Sequence, residues 1–278
     1  CRIGVVGSSF VLAPELHEDE TIPHVLESNL KRKVQHTPFE VLSAAQAGGD
    51  TRDFLPQIIH QIVHLHPKIL IVQIGLNEVL SQIQGSWKYL YEPRVMKNSI
   101  YTSLLSCATE LYLFRVLYSQ ITRKKSFWRV KYENQKVVHT IDYKEQDNFY
   151  RKGSKVHNIK FDSLGFLDNL LSIIALCKGH SINLVFLWVS GALQEILDKN
   201  VTLVTDVSAL KLLQVLQECK PKVESLCVKN NVTFLDVDNW LSPTSEYWLT
   251  IQHCNTKGAA TIANQLASHI ELLLQRGL

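Results

Sequence analysis

The sequence predicts an α/β protein in which a mainly parallel sheet of about five strands lies between two layers of helices. Three observations carry this. Short β-branched strands alternate with helical segments along the chain, in βα order. The run Ile69-Leu70-Ile71-Val72 is apolar at every position, as a parallel strand covered on both faces requires. The last segment, from Thr256 onward, puts Ile262, Leu266, Ile270 and Leu273 on one helical face. With 46% of 278 residues hydrophobic and 20% charged, the chain holds enough apolar material for a buried core, which excludes disordered and fibrous classes.

Taken in order, the first strand is expected over Arg2 to Val6, followed by a helix from about Ile22 to Leu30. Phe39 to Ser43 reads as the second strand, Phe54 to Leu65 as a helix, and Lys68 to Ile74 as the third strand. Further on, Leu167 to Leu176 reads as helix and Asn183 to Val189 as the fourth strand. One helix or two fall within Val207 to Val228, and Val232 to Val237 is the fifth strand before the terminal helix. The expected product is a single three-layer α/β/α domain over residues 1–278, interrupted by a long insertion over residues 80–162.

The insertion has two halves. From Ile100 to Ile121 it is apolar enough for a helix that would pack as core or lid, meet a protein partner or lie on a membrane surface. Residues 121–160 carry eleven Lys/Arg against four Asp/Glu, a local charge of +7 in a chain whose total is +3. Phe127, Trp128, Tyr132, Tyr143, Phe149 and Tyr150 punctuate this basic stretch. That composition suits a solvated face, an anionic polymer or a membrane surface; the weak overall charge argues against nucleic acid.

Six cysteines have no closely paired spacing of the metal-knuckle or redox kind, so free and mostly buried thiols are expected, with neither metal nor cofactor. His64-Leu65-His66 is too short a cluster to suggest a metal centre, and Gly48-Gly49 lacks the lysine of a phosphate-binding loop. Two glycosylation-type triplets, at Asn200 and Asn231, leave a secretory location open. The chain starts at Cys1, directly before a core strand, so a targeting segment could lie upstream; localisation stays open.

Chemistry-bearing residues gather where strands end. Gly7-Ser8-Ser9 closes the first strand, Ala47-Gly48-Gly49-Asp50-Thr51 follows the second and Gly75-Leu76-Asn77-Glu78 the third. His253 stands just before the last helix, in Thr250-Ile251-Gln252-His253-Cys254-Asn255. In an open parallel sheet these loops meet at the C-terminal edge, where binding groups converge. A hydroxyl there suits a nucleophile, an imidazole a general base, and a glycine amide and Asn carboxamide suit oxygen-facing donors. Taken singly, each has a plainer reading: Ser9 a helix cap, Gly49 a turn glycine, Asn77 a loop brace, His253 an ordinary loop histidine. Asn255 is accounted for as the cap of the final helix.

In their order and placement these four blocks resemble the SGNH, or GDSL-type, hydrolase superfamily across nearly the whole chain apart from the insertion. The resemblance implies a flavodoxin-like three-layer fold and hydrolysis of carboxylic esters, including lipid esters and O-acetyl groups on sugars. Carried residue by residue, it implies Ser9 as nucleophile and His253 as its general base. The Ser9 and Gly49 amides and the Asn77 side chain would form the oxyanion hole. An acylated small molecule or a glycan is the implied partner.

The sequence departs from the family pattern at Ser8, where Asp is usual, at Glu78, again for Asp, and at Thr250, where an acid normally stands three residues before the histidine. Thr250 cannot compensate an imidazolium charge. Three outcomes are compatible with this: a Ser9–His253 dyad, a substitute carboxylate such as Asp236, Asp238 or Glu246, or a catalytically depleted scaffold that binds a ligand or a protein.

Overall fold

Five strands pair side by side, all parallel, in the order β2-β1-β3-β6-β7: β1 (Arg2–Gly7), β2 (Glu40–Ala45), β3 (Ile69–Gly75), β6 (Asn183–Val189) and β7 (Thr233–Asp236). The register sets Ile3 beside Ile69, Ile69 beside Asn183 and Val185 beside Thr233. β3 sits in the middle and is buried at all seven positions, which its apolar run Ile69–Val72 provides for over the first four. β2 and β7 are the edges, and β2 is accordingly only half-buried, with alternation disturbed by exposed Ser43.

These observations come from a computed structural model that describes residues 1–34, 37–84, 128–133, 136–141, 161–193, 209–250 and 252–276. The chain divides into two compact units, Cys1–Ile83 with Asn158–Leu278, and Gln84–His157.

In the larger unit the period of two in each strand sends alternate side chains to opposite faces. Ile3, Val5, Ile69, Ile71, Val185 and Leu187 join one core with α2 (Ile22–Lys33) and α7 (Thr256–Gln275). From α2 come Ile22, Leu26 and Leu30, and from α7 Ile262, Leu266 and Ile270, each at most 1% exposed. Each such side chain removed from water contributes roughly 1.5–3 kcal/mol before entropy is charged against it. The alternate set, Val6, Leu70, Val72, Phe186 and Trp188, is buried as fully. The described residues also form α1 (Ser9–Leu12), α3 (Thr51–Gln57), α4 (Leu76–Gln84), α5 (Ser163–Gly179) and α6 (Ala209–Asn230). α3 packs against α5, and α5 against β6 and α6.

Local departures from the expected elements have local causes. The helix foreseen over Phe54 to Leu65 is α3 followed by a widened turn at Ile58–Ile62 and a tight one at Val63–Leu65. Pro56, inside α3, lacks the N–H that a regular ladder needs there. The single helix α6 absorbs Pro221 without ending. β7 stops at Asp236, whose carboxylate accepts the Asp238 N–H and turns the chain into a short 3-10 turn.

The smaller unit contains an antiparallel pair, β4 (Trp128–Glu133) and β5 (Lys136–Ile141), with Trp128 opposite Ile141 and Glu133 opposite Lys136. The helix expected near Ile100 to Ile121 lies outside the described residues. Among the described residues no helix is long and apolar enough to cross a membrane, and no cluster of His, Cys, Asp and Glu could hold a metal ion. Cys1, Cys177, Cys219, Cys227 and Cys254 are free thiols, all but Cys1 buried. Burial pushes Cys177, Cys227 and Cys254 up to about 12 and Cys219 to about 11, which suits inert packing groups.

Candidate active site

The site is built outward from the end of β1. Ser8 is the N-cap of α1 (Ser9–Leu12), its Oγ accepting the Phe10 N–H at 3.3 Å, so Ser9 is the first helical residue and not the cap. Two further bonds hold Ser8. Its N–H donates to Gln73 Oε1 at 2.8 Å, and its hydroxyl donates to Asn77 Oδ1 at 3.1 Å. Gln73 is a polar residue buried in the central strand, and the anchoring of the Ser8 amide gives it a partner there. Ser9 is left at the mouth of the turn, its N–H without a hydrogen-bond partner among the described residues.

His253 enters from the loop before α7. A bridge between Trp248 and Cys254 closes that loop, and the His253 carbonyl accepts the Leu249 N–H at 2.8 Å. Thr250 Oγ1 accepts the N–H groups of Gln252 and His253, at 3.2 and 3.0 Å. Position 250 thus braces the turn that presents the imidazole. Asn255 caps α7 as expected, its Oδ1 accepting the Gly258 N–H at 2.9 Å.

The two loops meet: His253 Nε2 lies 2.8 Å from Ser9 Oγ. The separation is a hydrogen bond in which the serine hydroxyl donates when Nδ1 carries the ring proton. On the other side of the ring, Nδ1 lies 2.5 Å from Glu15 Oε1, with side chains only 11% and 6% exposed. The contact is close in charge but not directed: among the described residues neither Nδ1 nor either Glu15 oxygen has an aligned hydrogen bond. Glu15 was absent from the sequence-based candidates. Of those considered for this place, Asp236 pairs with Lys220, Asp238 accepts the Ser190 N–H and Glu246 pairs with Lys257, so none of the three is the carboxylate at Nδ1.

Glu15 arrives there through the chain that leaves Ser9. α1 ends after one turn because Ala13 adopts a left-handed conformation, φ 44°, with its N–H on the Ser9 carbonyl at 2.8 Å. A reverse turn follows in which Leu16 N–H bonds the Ala13 carbonyl at 2.9 Å. Pro14 occupies the second place of that turn, which its fixed φ favours, and Glu15 the third. Ala-Pro-Glu after a short apolar stretch is a readable turn signal; what the turn faces is not.

The three donors expected from the sequence fall into two groups. Asn77, 8% exposed, has its carbonyl end occupied by Ser8, which leaves Nδ2 without a partner among the described residues. The Ser9 amide is likewise unengaged. Gly49 is placed in the neighbouring loop, but its N–H donates to the Gln46 carbonyl at 3.0 Å, closing a turn in which Gly48 takes φ 71°. Glycine is suited to that left-handed position at no steric cost.

Under these loops lies a pair of acids. Glu78 Oε2 accepts the Gly75 N–H at 2.7 Å and Oε1 the Thr51 N–H at 3.2 Å, bridging the loop after β3 to the start of α3. Asp50 caps α3 and meets Arg52 and Ser81 Oγ, both at 2.5 Å. Burial, and secondarily the charge of Asp50, push the Glu78 carboxyl up to about 8. Gly75 has φ 121°, and a Cβ there would come within 2.5 Å of the Val189 carbonyl oxygen, so this loop tolerates only glycine.

Neither a family model nor a curated protein matches the sequence. Solved structures do match its fold. The chain is similar to a protein assigned to the G-D-S-L lipolytic family from Desulfitobacterium hafniense DCB-2, at 8% identity over 96% of this chain and 98% of that one, with a TM-score of 0.52. It is similar to the psychrotrophic esterase EstA of a Pseudoalteromonas species, a structure inhibited by monoethylphosphonate, at 9% identity, 99% and 98% coverage and a TM-score of 0.55. It also matches the acetylxylan esterase Axe2 of Geobacillus stearothermophilus, at 10% identity, 97% and 93% coverage and a TM-score of 0.55.

Proposed function

From the premise that the chain has the SGNH-type hydrolase fold, shared with these carboxylester hydrolases, we propose that it is a serine-dependent carboxylester hydrolase acting through an acyl-serine intermediate. The observation that carries the proposal is the 2.8 Å contact between Ser9 Oγ and His253 Nε2 at the C-terminal edge of the sheet.

The chemistry runs as follows. Ser9 Oγ attacks the ester carbonyl carbon as its proton passes to Nε2; a C–O bond forms and the carbonyl π pair moves onto oxygen. The Ser9 N–H and Asn77 Nδ2, both unengaged in the free protein, are the donors for that oxyanion. The Gly49 N–H joins them only by giving up its bond to Gln46. Collapse of the tetrahedral species breaks the bond to the alcohol, which leaves with the proton from Nε2. Water then attacks the acyl-serine with the same base and acid assistance, releasing the carboxylic acid and restoring Ser9. Donors aimed at the developing charge contribute most here, at ~3 kcal/mol each.

The substrate class we propose is an O-acetyl or other O-acyl ester of a sugar or glycan. Support comes from the acetylxylan esterase that shares the fold. The test is covalent labelling by a small fluorophosphonate together with the product burst from activated acetate esters, in the natural chain and in Ser9→Ala. Labelling and burst that vanish in Ser9→Ala are expected; a folded natural chain that shows neither rejects the hydrolase reading. Acetylated xylan and a long-chain aryl ester, compared at equal enzyme, then decide the ester class, and preference for the long chain would overturn the carbohydrate assignment.

A further inference from the structure

We infer that Glu15 is the positioning residue for His253, a triad acid carried on the nucleophile's own loop instead of three residues before the histidine; this rests on the esterase reading above. The argument starts from a cost. Glu15 is a carboxylate whose side chain is 6% exposed and whose two oxygens have no aligned hydrogen-bond donor among the described residues. Burying such a group carries a penalty of several kcal/mol unless a partner charge compensates it. Among the described residues the cation within reach is the imidazolium that His253 becomes when it takes the Ser9 proton, since Nδ1 lies 2.5 Å from Oε1. The arrangement is poor as a resting salt bridge and well placed for a charge that appears during the reaction.

Position 250 explains why the acid is free to sit elsewhere. Thr250 Oγ1 is engaged by the Gln252 and His253 N–H groups and keeps the histidine turn closed. The turn-holding and the charge-compensating roles, which one aspartate could combine, are here divided between Thr250 and Glu15. The division has a geometric consequence. Ser9 and Glu15 are tied by the Ala13 N–H to Ser9 carbonyl bond at 2.8 Å, so one short segment grips both nitrogens of the same imidazole.

Three proteins test this: Glu15→Gln, Ser9→Ala, and Glu15→Gln combined with Thr250→Asp. Glu15→Gln should lower kcat on an activated acetate ester by about 10²–10⁴-fold with little change in KM, as loss of a triad carboxylate does. Its thermal midpoint should stay level or rise, because a buried, poorly satisfied charge is gone; a merely structural glutamate would lose both stability and activity. Thr250→Asp on the Glu15→Gln background should restore at least tenfold of the lost kcat.

A second readout does not need turnover. In acid, once the ring is charged, the His253 Hδ1 proton should resonate far downfield in the natural chain and in Ser9→Ala, and move upfield in Glu15→Gln. Absent fluorophosphonate labelling with this proton signature present would reject the hydrolase reading and keep Glu15 as the partner of Nδ1. Unchanged kcat in Glu15→Gln together with an unchanged Hδ1 signal would overturn the inference outright.

Discussion

The buried acid beneath the oxygen-facing loops makes a measurable demand on stability. Glu78 titrates near 4.5 when the chain is unfolded and at about 8 when it is folded, because burial and then the charge of Asp50 disfavour its carboxylate. Between those values folding must take up a proton. The stabilisation is therefore complete below pH ~4.5, declines as pH rises, and is lost above pH ~8. A difference of about 3.5 pH units at 1.36 kcal/mol each gives ~5 kcal/mol as an upper bound for this one group. For a chain of this length that corresponds to a fall of roughly 10 °C in the thermal midpoint. Glu78→Gln removes the ionisation. Its amide can serve one of the two N–H groups of Gly75 and Thr51 as acceptor but turns an NH₂ toward the other, a pH-independent cost of about 1–3 kcal/mol. Scanning calorimetry from pH 5 to 8.5 should therefore find the natural chain more stable at the acid end, and the gap closing or reversing toward the alkaline end. Parallel curves for the two proteins would refute the assignment of the proton to Glu78.

Two further outcomes follow from the site and the insertion. Asn77→Ala should reduce kcat by about 10²-fold, the equivalent of ~3 kcal/mol of oxyanion stabilisation, with KM nearly unchanged; steady-state kinetics within threefold of the natural chain would remove Asn77 from the hole. Neutralising Lys124, Lys125, Arg129 and Lys131 should abolish salt-sensitive retention on immobilised anionic glycan or anionic vesicles, given the +7 charge of residues 121–160. Equal, weak retention of both proteins on both materials would dismiss the basic stretch as a polyanion surface.

Most of the larger unit was legible because its signals are local and periodic. The apolar run of β3 and the one-faced apolar spacing of α7 each name their own burial. The β4–β5 pair obeys the same rule, since Trp128-Arg129-Val130-Lys131-Tyr132-Glu133 alternates apolar and charged as a strand does, but its basic charge equally fits a solvated face. The meeting of Ser9 with His253, 244 residues apart, followed from a different inference, that loops after neighbouring parallel strands share one edge. Gln73 escaped notice for a physical reason: a single polar residue in a buried strand carries no periodic signal, and its use becomes visible only when the Ser8 amide is seen to need an acceptor.

Glu15 lies on the loop that leaves Ser9, and no signal in the histidine loop or the adjoining strand end points to it. Nothing in composition distinguishes Glu15 from Glu18 or Glu20 a few residues on. The difference is conformational. The left-handed Ala13 and the turn through Pro14 fold the chain back at a place where a continued helix would have pointed it away. A β-branched residue at position 13 would oppose that backbone geometry directly, so Ala13→Val should separate Glu15 from Nδ1 while leaving the carboxylate itself in the chain. Thr250 offers the ring no charge, and a turn only a few residues beyond Ser9 brings the Glu15 carboxylate to Nδ1 instead.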